Sequence, residues 1–135
     1  NITSQQIISW RGLAFENLCF RHIKQIKNTL GISGVETSVS VWFQKGTEDN
    51  SGFQIDMLIY RKDNVVNMCE IKFYNDDYEV DNQYMRLLMR RRNSLEGILP
   101  KRVSIQSTLI TTFGLKYNKY SNSFNNTIVL DDLFS

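Results

Sequence analysis

The chain has 135 residues, 41% of them hydrophobic and 22% charged, with 16 Lys and Arg against 14 Asp and Glu for a net charge of +2. These values are ordinary for a globular domain, which excludes a disordered or collagen-like chain, and the length suffices for a core that buries about two-thirds of the unfolded surface. With one histidine, one proline and two cysteines, and neither C-x-x-C nor H-E-x-x-H, there are too few ligands for a zinc site of the usual kind, and chemistry must fall to carboxylates, lysines or hydroxyls.

The net charge is too small to mark a nucleic-acid binder by composition, so any basic surface must be local. Cys19 and Cys69 lie in apolar stretches and read as small buried thiols, which favours a reducing, cytoplasmic setting. No apolar run reaches the roughly 18 residues of a membrane span, and no signal-peptide pattern opens the chain. The opening Asn1-Ile2-Thr3, without methionine, reads as one domain cut from a longer polypeptide.

Apolar positions three or four apart from Ile8 to Leu30 predict one helix over 4–30. Thr3 with Gln6 forms a candidate capping box, and Gly31 and Gly34 the stop. The β-branched and aromatic run over 35–43 predicts a strand, and 45–52 a polar surface loop. Residues 53–60 and 65–73 predict a hairpin of strands buried on both faces. Helical spacing returns over 78–99, with acid at its start, base at its end and Pro100 as terminator. Residues 102–113 predict a strand, 114–126 a polar connection and 127–130 a last short strand. His22, near the apolar stripe of its helix, reads as a packing residue rather than a base.

Two carboxylates and a lysine fall inside the apolar hairpin. A lone buried carboxylate is strongly unfavourable unless it is paired, hydrogen-bonded or bound to a metal. In Phe53-Gln54-Ile55-Asp56-Met57 and Cys69-Glu70-Ile71-Lys72, alternation places Glu70 and Lys72 on one face, about 6–7 Å apart. A three-residue loop, Lys62-Asp63-Asn64, sets Asp56 opposite Glu70. A two-residue loop, Asp63-Asn64, turns Asp56 away. We expect the first, because the second buries carboxylates on both faces without a shared partner. Facing carboxylates repel unless a cation lies between them, and hard oxygen donors suit Mg²⁺ or Mn²⁺.

Asp56, thirteen residues, then Glu70-Ile71-Lys72, preceded by a helix carrying Glu16, resembles the PD-(D/E)xK nuclease superfamily, whose core runs helix, three strands, helix, strand. With Trp10-Arg11-Gly12-Leu13-Ala14-Phe15-Glu16, the sequence most resembles the nuclease-like domain at the C-terminus of certain archaeal and bacterial AAA-type or STAND-like ATPases. Ile55 stands where the superfamily's name has proline. The resemblance implies a three-layer α/β/α fold with a mixed central sheet, and Mg²⁺-dependent hydrolysis of phosphodiesters in DNA. It implies that Asp56 and Glu70 ligate the metal, with the Ile71 carbonyl as a further oxygen. Lys72 would orient the attacking water, and Glu16 would support the metal shell. It also implies an upstream ATPase as partner, and double-strand cleavage would suit a homodimer.

Each assignment has a plainer counterpart. Asp56, Glu70 and Lys72 could form a sheet-edge salt bridge, and Glu16 could pair with Arg11 or Arg21. Asp76, Asp77, Glu79 and Asp81 ahead of Arg86, Arg90, Arg91 and Arg92 suit a helix macrodipole. The functional alternative is a phosphate-contacting strip of Arg86, Arg90, Arg91, Arg92, Lys101 and Arg102, with Gln83 one turn ahead. Lys116, Tyr117, Lys119 and Tyr120 mix base and aromatics as single-strand binders do, but also as ordinary loops do. Two non-enzymatic readings stay open: a non-cleaving nuclease-fold module that binds nucleic acid or regulates an attached ATPase, and a protein-protein interaction domain.

Overall fold

The computed structural model describes residues 1–49 and 51–135; Asn50, within the expected loop over 45–52, lies outside the described residues. The elements are α1 (Ser4–Arg21), α2 (Ile23–Thr29), β1 (Thr37–Gln44), β2 (Phe53–Arg61), β3 (Val65–Lys72), α3 (Asn82–Glu96), β4 (Ser104–Thr111) and β5 (Asn126–Val129), with short 3-10 turns at Ser121–Ser123 and Leu130–Phe134. The strands form one sheet in the order β1-β2-β3-β4-β5. Pairing is antiparallel through β1, β2 and β3 and parallel through β3, β4 and β5. Two helices cover one face and one the other, so the architecture is the expected three-layer α/β fold with a mixed sheet. Among the described residues no helix is long and apolar enough to cross a membrane.

The single helix expected over 4–30 is two. It starts as expected, with Thr3 and Gln6 in a reciprocal capping box, but His22 leaves helical geometry at φ −123°, ψ 35°. Its Nδ1 bonds the Leu18 carbonyl at 2.8 Å, a local side-chain bond that competes with the helical ladder. Its ring packs on Phe134. α2 stops where glycine was expected to stop it. Gly31 takes φ +74°, and the amides of Gly31 and Ile32 bond the carbonyls of Asn28 and Lys27, closing the last turn as left-handed glycine caps do.

Phe15, Cys19, Ile26 and Ile32 pack with Met57, Ile59, Cys69 and Ile71 on one face of the sheet. On the other, Leu95 packs with Ile55, Val66 and Met68, and Tyr84 and Leu88 pack with Val80, Leu109 and Phe124. Both cysteines are free and buried. β3 is buried almost throughout, as expected, but β2 is not: Gln54 and Tyr60 are exposed.

α3 begins at Asn82, not 78. Asp81 caps it by accepting the Tyr84 amide at 2.8 Å, and Tyr78 instead bridges to Leu115 across the expected 114–126 connection. The helix ends at Glu96, before Pro100, with no acid in its first turn and no base in its last. Of the macrodipole account only Asp81 stands, as a carboxylate at the helix's positive end; Asp76, Asp77 and Glu79 precede the helix and no arginine falls in its last turn. The 3-10 turn after β5 buries Leu133 in the core under α1 and α2.

Candidate active site

Two irregularities in β2 set the site. The first is the hairpin register. Met57 pairs with Cys69, Leu58 with Met68, Ile59 with Asn67 and Tyr60 with Val66. Counting on from these pairs sets Asp56 against Glu70 and Arg61 against Val65, the register of the three-residue loop. Asn64 closes that loop at φ +65°, the left-handed residue such loops need. The second is a bulge. β1 pairs Ser40 with Leu58 but Trp42 with Ile55, so Asp56 and Met57 together face the single residue Val41. Ile55 and Met57, two apart, therefore serve opposite faces of the sheet. Bulges of this kind re-aim side chains beside sites, and Asp56 lies in this one.

The β2–β3 ladder ends at Met57 and Cys69, one pair short of Asp56 and Glu70. Beyond it Asp56 Oδ2 accepts the Ile71 backbone N–H at 2.8 Å, so a β2 side chain stands in for a β2 carbonyl. Asp56 Oδ1 makes no hydrogen bond among the described residues. The Ile71 side chain faces the α1 core.

Glu70 is completely buried. Its Oε1 accepts from Tyr84 Oη at 3.0 Å and from Arg91 Nη1, with which it forms an ion pair. Its Oε2 has no partner, and neither has Arg91 Nε. Burial above all pushes the Glu70 carboxyl up to about 7; Arg91, Tyr84 and Lys72 draw it down, while Asp56 adds to the rise. Lys72 Nζ lies over the Tyr84 ring, 4.9 Å from its centroid. One aromatic ring thus supports the lysine on its face and the carboxylate at its hydroxyl.

Glu16 lies half-buried on α1, beside the buried Phe15. Its carboxyl is raised by burial first and by the Asp56 charge second, and is lowered by Lys72. Glu16 thus feels the charges of Asp56 and Lys72, and Glu70 feels the same two. Neither Arg11 nor Arg21 pairs with Glu16 among the described residues.

Six basic residues were expected in one strip, and the structure separates them. Gln83, Arg86 and Arg90 lie along the exposed side of α3, where they line an open trough with Asn82 and Met89. Lys101 and Arg102 are exposed in the turn before β4. Arg91 turns inward to Glu70, and Arg92 bonds Ser107 Oγ at 3.1 Å and the Ile105 carbonyl at 2.8 Å. Both guanidiniums are thus engaged inside the fold, because residues 84, 88, 91, 92 and 95 form the side of α3 that meets the sheet.

Tyr84 is the site residue that sequence reasoning missed, and Arg91, expected to contact phosphate, is instead the partner of Glu70. The signal was present: each stands at helical spacing on the buried side of α3, and a buried Glu70 needs donors of their type. Among the described residues no group of three or more His, Cys, Asp or Glu side chains is gathered for a metal. The carboxylate oxygens left free to hold a cation are Glu70 Oε2, which is buried and unpartnered, and Asp56 Oδ1.

The molecule is thus a three-layer α/β domain with an acidic pair and a lysine at the open end of its central hairpin. No family model and no curated protein matches the sequence. Among solved structures it is similar to one titled "Crystal Structure of Protein of Unknown Function AF1548", at 18% identity and a TM-score of 0.53 over 86% of this chain; the chain spans 64% of that one's length. At that identity the likeness is one of fold.

Proposed function

We propose that this domain hydrolyses phosphodiester bonds in DNA with a divalent cation, Mg²⁺ or Mn²⁺, held by Asp56 and Glu70. The observation that carries this reading is the unpartnered Oε2 of fully buried Glu70, in register with Asp56 where the β2–β3 ladder opens. Such an ion supplies charge neutralisation at phosphorus and lowers the pKa of a water. Asp56 is held by the Ile71 amide and Glu70 by Tyr84 and Arg91, so both carboxylates are oriented before any ligand arrives. Lys72, braced on the Tyr84 ring, orients the attacking water and offsets charge developing on the phosphate. Glu16, with its raised carboxyl, accepts a proton from that water or supports the metal shell. The resemblance that motivates this reading also supplies its setting, an ATPase in the same polypeptide.

The ion pair between Arg91 and Glu70 favours one alternative. A guanidinium that already neutralises Glu70 suits a non-cleaving nuclease-fold module that binds nucleic acid or regulates an attached ATPase. Incubating the domain with supercoiled, linear duplex and single-stranded DNA in Mg²⁺, Mn²⁺ or EDTA decides between them. Metal-dependent cutting, lost in Asp56→Asn and Lys72→Ala variants that stay folded, supports the enzyme. Folded protein that cuts nothing under any condition refutes it.

A further inference from the structure

A cavity opens between α3 and the loop end of the β1–β2 pair, where Gln44 faces Phe53. It holds about 340 Å³, and its walls include Arg90, Arg91, Asn93 and Ser94 from the helix. A second hollow of about 300 Å³ shares Leu87 and Arg90 with it and reaches Tyr84, the ring that carries Lys72. The two make one furrow along α3 that leads to the candidate active site.

The lining has a definite chemistry. Among the described residues no acidic side chain lines the larger cavity. Arg90 is exposed and makes no ion pair among the described residues. Arg91 engages Glu70 through Nη1, but its Nε has no partner, so that guanidinium's donors are not all in use. Gln44 and Asn93 bring amides and Ser94 a hydroxyl, groups that both donate and accept. Phe53 brings an apolar ring, with Trp42 packed against it at 6.2 Å between centroids. Cations for a phosphate, a ring for stacking and amides for polar edges are what recognises an unpaired nucleotide. Bases within a duplex stack on one another and have their pairing edges occupied. A cavity at the small end of ligand sites has room for one nucleotide and not for a base pair.

We propose that this cavity holds one unpaired nucleotide, so that a strand handled at Asp56, Glu70 and Lys72 is single where it passes along α3. The inference rests on the reading of the site as one that handles nucleic acid; it does not need cleavage.

Fluorescence anisotropy of the intact chain in EDTA tests it, with a labelled oligothymidylate of about ten nucleotides and the same strand in a blunt duplex with oligoadenylate. The single strand should bind at least about tenfold more tightly, roughly what one stacked base contributes. Ser94→Tyr, which fills the cavity, and Asn93→Trp, which blocks its exposed rim, should each remove that preference with unchanged circular dichroism. Lys101→Ala, in the turn before β4, should leave it intact. A duplex bound as tightly as the single strand, or no binding of either, overturns the proposal. So does a preference that survives both blocking substitutions, or thymidine monophosphate that competes as well as the oligomer, which would mark a free nucleotide as the ligand. A chain that prefers single strands and never cuts keeps this inference and loses the nuclease reading; one that cuts duplex and shows no such preference does the reverse.

Discussion

Arg91, in the second half of α3, ion-pairs with Glu70 near the C-terminal end of β3, and it does so where the glutamate is shut off from water. A buried carboxylate with one oxygen doubly bonded and the other unpartnered is held in place, but its charge is only partly compensated. Removing the guanidinium should therefore cost more when Glu70 is ionised. Breaking a buried pair typically costs about 3–5 kcal/mol. We expect Arg91→Met to approach about 3 kcal/mol at pH 8 and to cost much less at about pH 5, where Glu70 can take up a proton instead. Urea denaturation at the two pH values measures the difference, and Arg91→Lys should recover part of it.

The raised Glu70 carboxyl also gives stability a slope of its own. Its folded value of about 7 lies above the ordinary 4.5, so between those values the folded chain holds a proton that the unfolded chain has released. The group's contribution is then most favourable below about pH 4.5 and is lost as pH rises toward 7, by up to about 3 kcal/mol. Glu70→Gln should flatten that slope. Because a cation binds the ionised form, Mg²⁺ should raise the melting temperature more at pH 8 than at pH 5; equal shifts would argue against Glu70 as a ligand.

Asp56 does two things that substitution can separate. Asp56→Asn keeps an oxygen for the Ile71 amide, so stability should change by less than about 1 kcal/mol. Asp56→Ala leaves that amide unpaired and should cost about 1–3 kcal/mol. Both should abolish metal-dependent cleavage. Chemical denaturation alongside a plasmid-nicking assay reads the two effects independently.

The arginines of α3 should behave in two groups. Arg86→Ala and Arg90→Ala remove exposed charges; each should weaken DNA binding across sequences and lower the salt slope by about 1, without destabilising the fold. Arg92→Ala should destabilise the domain instead, since it strands Ser107 and the Ile105 carbonyl. Salt-titrated fluorescence anisotropy and thermal melts make the comparison.

Much of this was legible in the chain because it depends on neighbours in sequence. The Thr3–Gln6 box, the Gly31 stop and the strands around Asp56 and Glu70 follow from local preferences and from period two or 3.6, and the odd hairpin loop from the cost of burying carboxylates on both faces of the sheet. The same locality explains the errors at helix ends. Nothing near His22 announces that its ring will bond the Leu18 carbonyl, and residues 78–80 look helical until Leu115 arrives from thirty-odd residues away to pair with Tyr78.

By itself the sequence determined that Asp56, Glu70 and Lys72 lie inside two adjacent, largely apolar strands. Only the tertiary structure decided what each of them touches. The bulge that re-aims Asp56 is created by the pairing of β1 with β2, and the donors to Glu70 come from a helix whose buried side is chosen by the sheet beneath it. Strand alternation is a property of one segment, whereas a buried charge is satisfied by whatever the rest of the chain brings to it.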